Sequence, residues 1–173
     1  MKIQKCEMSD LEAVSALYDK VTFHLTKTIN YPKWRYGEYP CTDSVKKAIS
    51  DEVQFMCVEN NAVLGAFILN DNPEGDYTKG NWKIDLNRGE YLIIHTLAVD
   101  PDLSKRGVGK AMVKYSVSYA KEHGFKAIRL DVVPENIPAR RLYEKLGFTF
   151  AGEKDLGRSI DDIPTFALYE LNF

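Results

Sequence analysis

The sequence predicts an α/β (α+β) fold, a central mixed sheet of about seven strands flanked by about four helices. Three observations lead there. The first half carries several strand-like segments, two of them joined at Asn60-Asn61, a hairpin signal. The second half alternates apolar runs with amphipathic helical stretches, the pattern of helices laid over both faces of a sheet that contains parallel strands. The length of 173 residues, with 45% hydrophobic and 28% charged residues, suits one soluble globular domain spanning residues 1–173.

Each element has its own signal. Lys2 to Cys6 reads as a first strand. Ser9 or Asp10 caps a helix whose apolar positions Leu11, Val14, Leu17, Tyr18 and Val21 recur at helical spacing. Asn30 to Pro40 breaks that pattern with two prolines, a glycine and four aromatic rings. Thr42 or Asp43 starts a short helix through Val45, Ala48 and Ile49, and Val53–Glu59 and Val63–Leu69 form the hairpin. Asp71 to Gly89 is polar and glycine-bearing, which predicts a loop. Tyr91–Val99 is a long apolar strand, and Gly107–His123 a helix with Val108, Ala111, Met112, Tyr115 and Tyr119 on one face. Lys126–Val133 is the next strand, Asn136–Leu146 a helix, and Phe148–Lys154 and Pro164–Leu171 close the chain as strands.

Composition excludes several classes of function. The net charge of −2 and the absence of a Lys/Arg run disfavour nucleic-acid binding. No apolar stretch approaches a membrane span, and Met1-Lys2-Ile3-Gln4-Lys5 lacks a signal-peptide core. Cys6, Cys41 and Cys57 are odd in number with no metal-like spacing, so the expectation is reduced thiols, no metal site and a cytoplasmic protein.

The most informative stretch runs from Leu97 to Ala111. An apolar strand enters the polar turn Asp100-Pro101-Asp102-Leu103-Ser104-Lys105-Arg106, and then Gly107-Val108-Gly109 opens a helix. Glycine lets backbone approach a ligand closely, and the first N–H groups of a helix have no partner within it. Together with the helix dipole they form an anion site, supplemented here by Lys105, Arg106 and Lys110. The residue pattern excludes a triphosphate P-loop, because Ser104 and Ala111 occupy positions that need Gly and Ser or Thr. Met112 stands where a dinucleotide fingerprint needs its third glycine, although Asp131 could imitate its ribose-binding acid.

A second segment, Pro134 to Phe148, is a short helix with strong punctuation: Pro138 in the first turn and Gly147 just past the end. Leu97 and Val99 before Asp100-Pro101, then Arg106-Gly107-Val108-Gly109, then Asn136, Ala139, Tyr143, Gly147 and Phe148 together resemble the GNAT superfamily of acyl-CoA-dependent N-acyltransferases. The motif-bearing part spans Tyr91 to Phe150, and Ile3 to Tyr18 is similar to the family's first strand and helix. Ser104 stands where the family often carries Gln or Arg.

The resemblance implies a mostly antiparallel sheet, splayed between its fourth and fifth strands, with acetyl-CoA in the gap. It implies pantetheine pairing with the main chain of Leu97, Ala98 and Val99, pyrophosphate binding by Ser104, Lys105, Arg106, Gly107, Val108, Gly109, Lys110 and Ala111, and further cofactor contacts from Asn136 and Arg140. Asn136 suits a helix cap equally well.

Tyr143 matches the family's general acid toward the CoA sulfur, and a phenol is neutral at pH 7; the same ring also suits packing of its helix. His95 stands on the strand leading to the phosphate loop, where it is either a proton acceptor for the amine or a residue of the strand's polar face. Tyr31, Trp34 and Tyr36 lie where the family borders its acceptor pocket, with cation–π capacity for an amine, or else they anchor their own loop. The function expected is transfer of an acetyl group to a primary amine of a small molecule or peptide, by a monomer or homodimer. The alternatives are a non-catalytic CoA-binding or regulatory module and, behind it, a nucleotide- or dinucleotide-binding enzyme.

Overall fold

The computed structural model describes residues 1–103 and 106–173, so Ser104 and Lys105 lie outside the described residues. In chain order the strands are β1 (Lys2–Lys5), β2 (Gln54–Glu59), β3 (Ala62–Asn70), β4 (Tyr91–Val99), β5 (Ala127–Val132), β6 (Thr149–Lys154) and β7 (Phe166–Asn172). The helices are α1 (Leu11–Leu25), α2 (Thr42–Ser50), α3 (Val108–Glu122) and α4 (Ile137–Lys145). The strands form one seven-stranded sheet in the order β1-β2-β3-β4-β5-β7-β6. Pairs β1/β2, β2/β3, β5/β7 and β6/β7 are antiparallel. β4 and β5 are parallel, with Tyr91 opposite Ala127 and Ile93 opposite Arg129.

Local chemistry explains the element ends. Asn60 and Asn61 both adopt positive φ, 51° and 62°, as a two-residue hairpin turn demands. Asp10 does not cap α1 directly. Its Oδ2 accepts a 2.8 Å bond from the Glu7 N–H, which closes a 3-10 turn at Met8–Asp10 that feeds the helix. Cys41 precedes α2 in extended conformation, and its N–H donates to Ser44 Oγ at 3.0 Å. Asn136 caps α4 by accepting from the Ala139 N–H at 3.3 Å, and Gly147 ends it at φ 90°.

The chain packs as two compact units. The first comprises Met1–Asn30, Trp34–Leu69 and His95–Tyr115, around a core of Cys6, Val14, Leu17, Tyr18, Met56 and Ala98. The second comprises Tyr31–Lys33, Asn70–Ile94 and Ser116–Phe173, around Tyr77, Tyr91, Ile93, Ala127, Leu156 and Phe166.

The expected loop between β3 and β4 is more structured than its polarity suggests. It contains a 3-10 turn, Tyr77–Lys79, and buries Tyr77 and Leu86. The Lys83 N–H donates to the buried Glu170 carboxylate at 2.7 Å, and Arg129 donates to the Ile84 carbonyl at 2.8 Å. The Arg129 guanidinium also sits 4.2 Å and 4.3 Å from the ring centres of Trp82 and Tyr91.

Candidate active site

The first unit holds the glycine turn. Gly107 has φ 79°, and a Cβ placed on it would meet no atom of the described residues within 4 Å. Its carbonyl accepts from the Ala111 N–H at 2.9 Å, which makes Gly107 the last residue before the helical donors of Val108, Gly109 and Lys110. The turn is braced from outside. Lys20 of α1 binds Asp100 at 2.7 Å and Asp102 at 2.8 Å, while Arg106 Nη2 donates to Glu59 Oε2 at 2.6 Å. Arg106, followed by the Met1 amino group at 3.1 Å, holds the Glu59 carboxyl below its usual range. Arg106 and Lys110 are both exposed.

β4 leads into this turn and is not a regular strand. Thr96 has φ 45°, a sterically costly conformation for a β-branched residue. The Tyr18 hydroxyl donates to the Thr96 carbonyl at 2.9 Å. His95, immediately before the kink, is 7% exposed. On the far side, β3 comes so close that a Cβ on Gly65 would lie 2.8 Å from the Ala98 carbonyl oxygen. No periodicity in the sequence marks Gly65 or the kink.

Of the aromatic residues between α1 and α2, Trp34 and Tyr36 fall in the first unit and Tyr31 in the second. Trp34 is fixed by reciprocal bonds with the Asn30 side chain, 3.1 Å and 2.6 Å, and meets Tyr18 edge-on at 6.3 Å. Tyr36 is exposed and packs on Phe23 at 5.4 Å. Tyr31 is half-buried.

The second unit holds the α4 residues. Tyr143 is 6% exposed and packs edge-on against Phe148 at 5.5 Å. Burial first, and then the Asp131 carboxylate, pushes its phenol well above the ordinary value, so it is a proton donor rather than a phenolate throughout the neutral range. Asp131, considered in the sequence only as a ribose partner, instead accepts from the Tyr77 hydroxyl at 2.6 Å and from Arg158 at 3.0 Å. Arg158 continues to Glu74 at 2.7 Å. Arg140 donates to Tyr169 Oη at 2.9 Å and to the Pro134 carbonyl at 3.0 Å, so two of its nitrogens are committed inside the fold.

Thus the glycine turn, Leu97–Val99, His95, Trp34 and Tyr36 gather in one unit, and Tyr143, Asn136, Arg140 and Tyr31 in the other. No helix among the described residues is long and apolar enough to cross a membrane.

Comparison with known proteins follows the same lines. An uncharacterized N-acetyltransferase of Methanocaldococcus jannaschii is 38% identical over 68 residues, covering 39% of this chain and 30% of that protein. The [ribosomal protein bS18]-alanine N-acetyltransferase of Escherichia coli is 34% identical over 58 residues, 34% of this chain and 39% of that one. Streptothricin acetyltransferase A of Bacillus subtilis is 36% identical over 69 residues, 40% of each. The chain therefore spans well under half the length of these curated relatives. Among solved structures, a GNAT-family acetyltransferase of Streptococcus agalactiae superimposes with TM-score 0.80 at 17% identity, covering 99% of this chain and 95% of that one. The yncA protein of Salmonella typhimurium, solved with its cofactor acetyl-CoA, gives TM-score 0.70 at 16% identity, covering 99% and 92%. These likenesses show the fold. The Acetyltransferase (GNAT) family model matches residues 23–148, a span that contains β4, the glycine turn and α4, and the chain belongs to that family.

Proposed function

We propose that the protein is an N-acetyltransferase that uses acetyl-CoA to acylate a primary amine, on a small molecule or a peptide, by direct attack on the thioester. The observation that carries this reading is the turn at Gly107, with φ 79° and the first N–H groups of α3 directly behind it. The residues present suit the pyrophosphate of CoA: the first N–H groups of a helix, which have no partner within it, with the exposed cations Arg106 and Lys110 beside them. Val108, Gly109 and Lys110 would bind it through main-chain N–H groups, and the main chain of Leu97, Ala98 and Val99 would pair with the pantetheine amides. Asn136 would offer its amide NH2 to the cofactor while its oxygen caps α4, and Arg140 would contribute through its remaining nitrogen. Ser104 and Lys105 complete the turn in sequence. When bound, acetyl-CoA supplies an acyl group activated as a thioester.

The chain's own residues manage the protons. An alkyl ammonium with pKa of about 10 must lose a proton before it can attack. His95 accepts that proton on a ring nitrogen, directly or through water. Tyr143 donates its Oη proton to the departing sulfur, a role suited to a phenol whose burial keeps it protonated. Tyr31, Trp34 and Tyr36 offer aromatic faces to the acceptor. The acceptor range is consistent with relatives named for an alanine of ribosomal protein bS18 and for streptothricin.

A thiol-release assay over a panel of small amines and peptide N-termini tests this reading. Amine-dependent release of CoA with acetyl-CoA as donor is expected. Binding of acetyl-CoA without turnover on any amine would instead support a non-catalytic CoA-binding module.

A further inference from the structure

We propose that the Tyr18 hydroxyl is a positioning group for acyl transfer: by holding the Thr96 carbonyl it locks the kink in β4 and thereby sets the direction of the Leu97 N–H. The inference rests on the acetyltransferase reading above and names a residue of α1 that this reading does not use.

The geometry is specific. Tyr18 is 1% exposed, and its hydroxyl reaches across 78 residues to the Thr96 oxygen at 2.9 Å. The Thr96–Leu97 peptide is trans, the cis bond of the described residues being Tyr39–Pro40. In a trans peptide C=O and N–H point in opposite directions, so an oxygen pinned toward α1 aims the Leu97 N–H the other way. That donor belongs to the strand segment assigned to the thioester arm. A fixed N–H there is the kind of group that stabilises charge developing on a carbonyl oxygen.

The kink is held at a cost. Thr96 is β-branched at φ 45°. Such a conformation persists only where its surroundings over-determine it. The Tyr18 bond supplies that constraint, and the ring is itself wedged edge-on against Trp34 at 6.3 Å. Burial pushes the Tyr18 phenol up to about 12, so it remains a donor through the assay range.

Three chains test the proposal: Tyr18→Phe, Thr96→Gly and the double variant. Tyr18→Phe keeps the ring and removes the donor, so kcat should fall about tenfold while KM for acetyl-CoA stays within about twofold. Glycine adopts φ 45° without steric cost, so Thr96→Gly added to Tyr18→Phe should restore most of the lost rate. Amide exchange at Leu97, read by NMR in the same chains, should rise in Tyr18→Phe and return toward the wild-type value in the double variant. The double variant is read even where Tyr18→Phe alone fails to fold. Wild-type turnover with an unaltered Tyr18→Phe rate overturns this inference alone. A lost rate that Thr96→Gly does not restore also overturns it, since Tyr18 would then act by packing. No turnover by the wild-type chain overturns the acetyltransferase reading and this inference together.

Discussion

Glu59, at the end of β2, grips Arg106, the cation next to the glycine turn, with Oε2 2.6 Å from Nη2. The pair joins residues 47 positions apart and gives the turn a carboxylate neighbour. Both side chains are substantially exposed, so the pair contributes little to stability and acts mainly on the local potential. Glu59→Gln should therefore tighten acetyl-CoA binding about threefold at low salt, with the gain shrinking as ionic strength rises. Calorimetric titrations at two salt concentrations check this. Weaker binding would mean that Glu59 chiefly orients the arginine.

Tyr143 is buried and protonated, which is the state an acid needs. Tyr143→Phe should lower kcat about a hundredfold while leaving acetyl-CoA affinity nearly unchanged. Steady-state kinetics with parallel binding measurements separate the two. The wild-type profile should show no alkaline limb from this phenol below about pH 10, because its pKa is raised.

Gly65 is closed to any side chain: an added Cβ would lie 2.8 Å from the Ala98 oxygen and 2.8 Å from Met112 Cε. Met112 can yield, but the β4 backbone cannot without shifting the strand assigned to pantetheine. Gly65→Val should lower stability by about 2 kcal/mol and raise KM for acetyl-CoA. Thermal unfolding and donor-saturation curves measure both effects. A raised KM with unchanged stability would place the strain entirely on the strand.

Glu90 takes hydrogen bonds from Lys126 and from the Asn87 N–H, and Lys126 first and Asn87 second lower its pKa from 4.5 to about 2. The unfolded chain binds this proton at higher pH than the folded chain does. The contribution of Glu90 is thus complete above pH 4.5 and disappears as pH falls through about 2. Glu90→Gln should make the decline of melting temperature between those limits shallower. Unfolding curves across that pH range provide the check.

Much of this was legible in the sequence wherever the signal is local. Tyr91–Val99 was readable to the residue from its apolar run, and the Asn60-Asn61 turn and the Pro138 and Gly147 punctuation named their elements directly. The glycine turn was readable because a helix start after a strand has one set of unpaired donors. What escaped depends on residues far apart in the chain. The Thr96 carbonyl is met by Tyr18, Gly65 comes up against Ala98, and Asp131 is joined by Tyr77 and Arg158. Arg140 shows the same limit, because nothing near it in sequence says that Tyr169 occupies its Nε. The segment between β3 and β4 is the loop its polarity predicts, but its anchoring is not legible, because its partners Arg129 and Glu170 are contributed by later strands.

Calorimetric titration of the folded chain with acetyl-CoA, with NAD and ATP as controls, decides whether the turn at Gly107 is the cofactor site proposed above. Stoichiometric binding of acetyl-CoA is expected, with none of comparable strength for NAD or ATP. A folded chain that binds neither acetyl-CoA nor CoA would contradict it, and would leave the GNAT architecture as a fold without its cofactor.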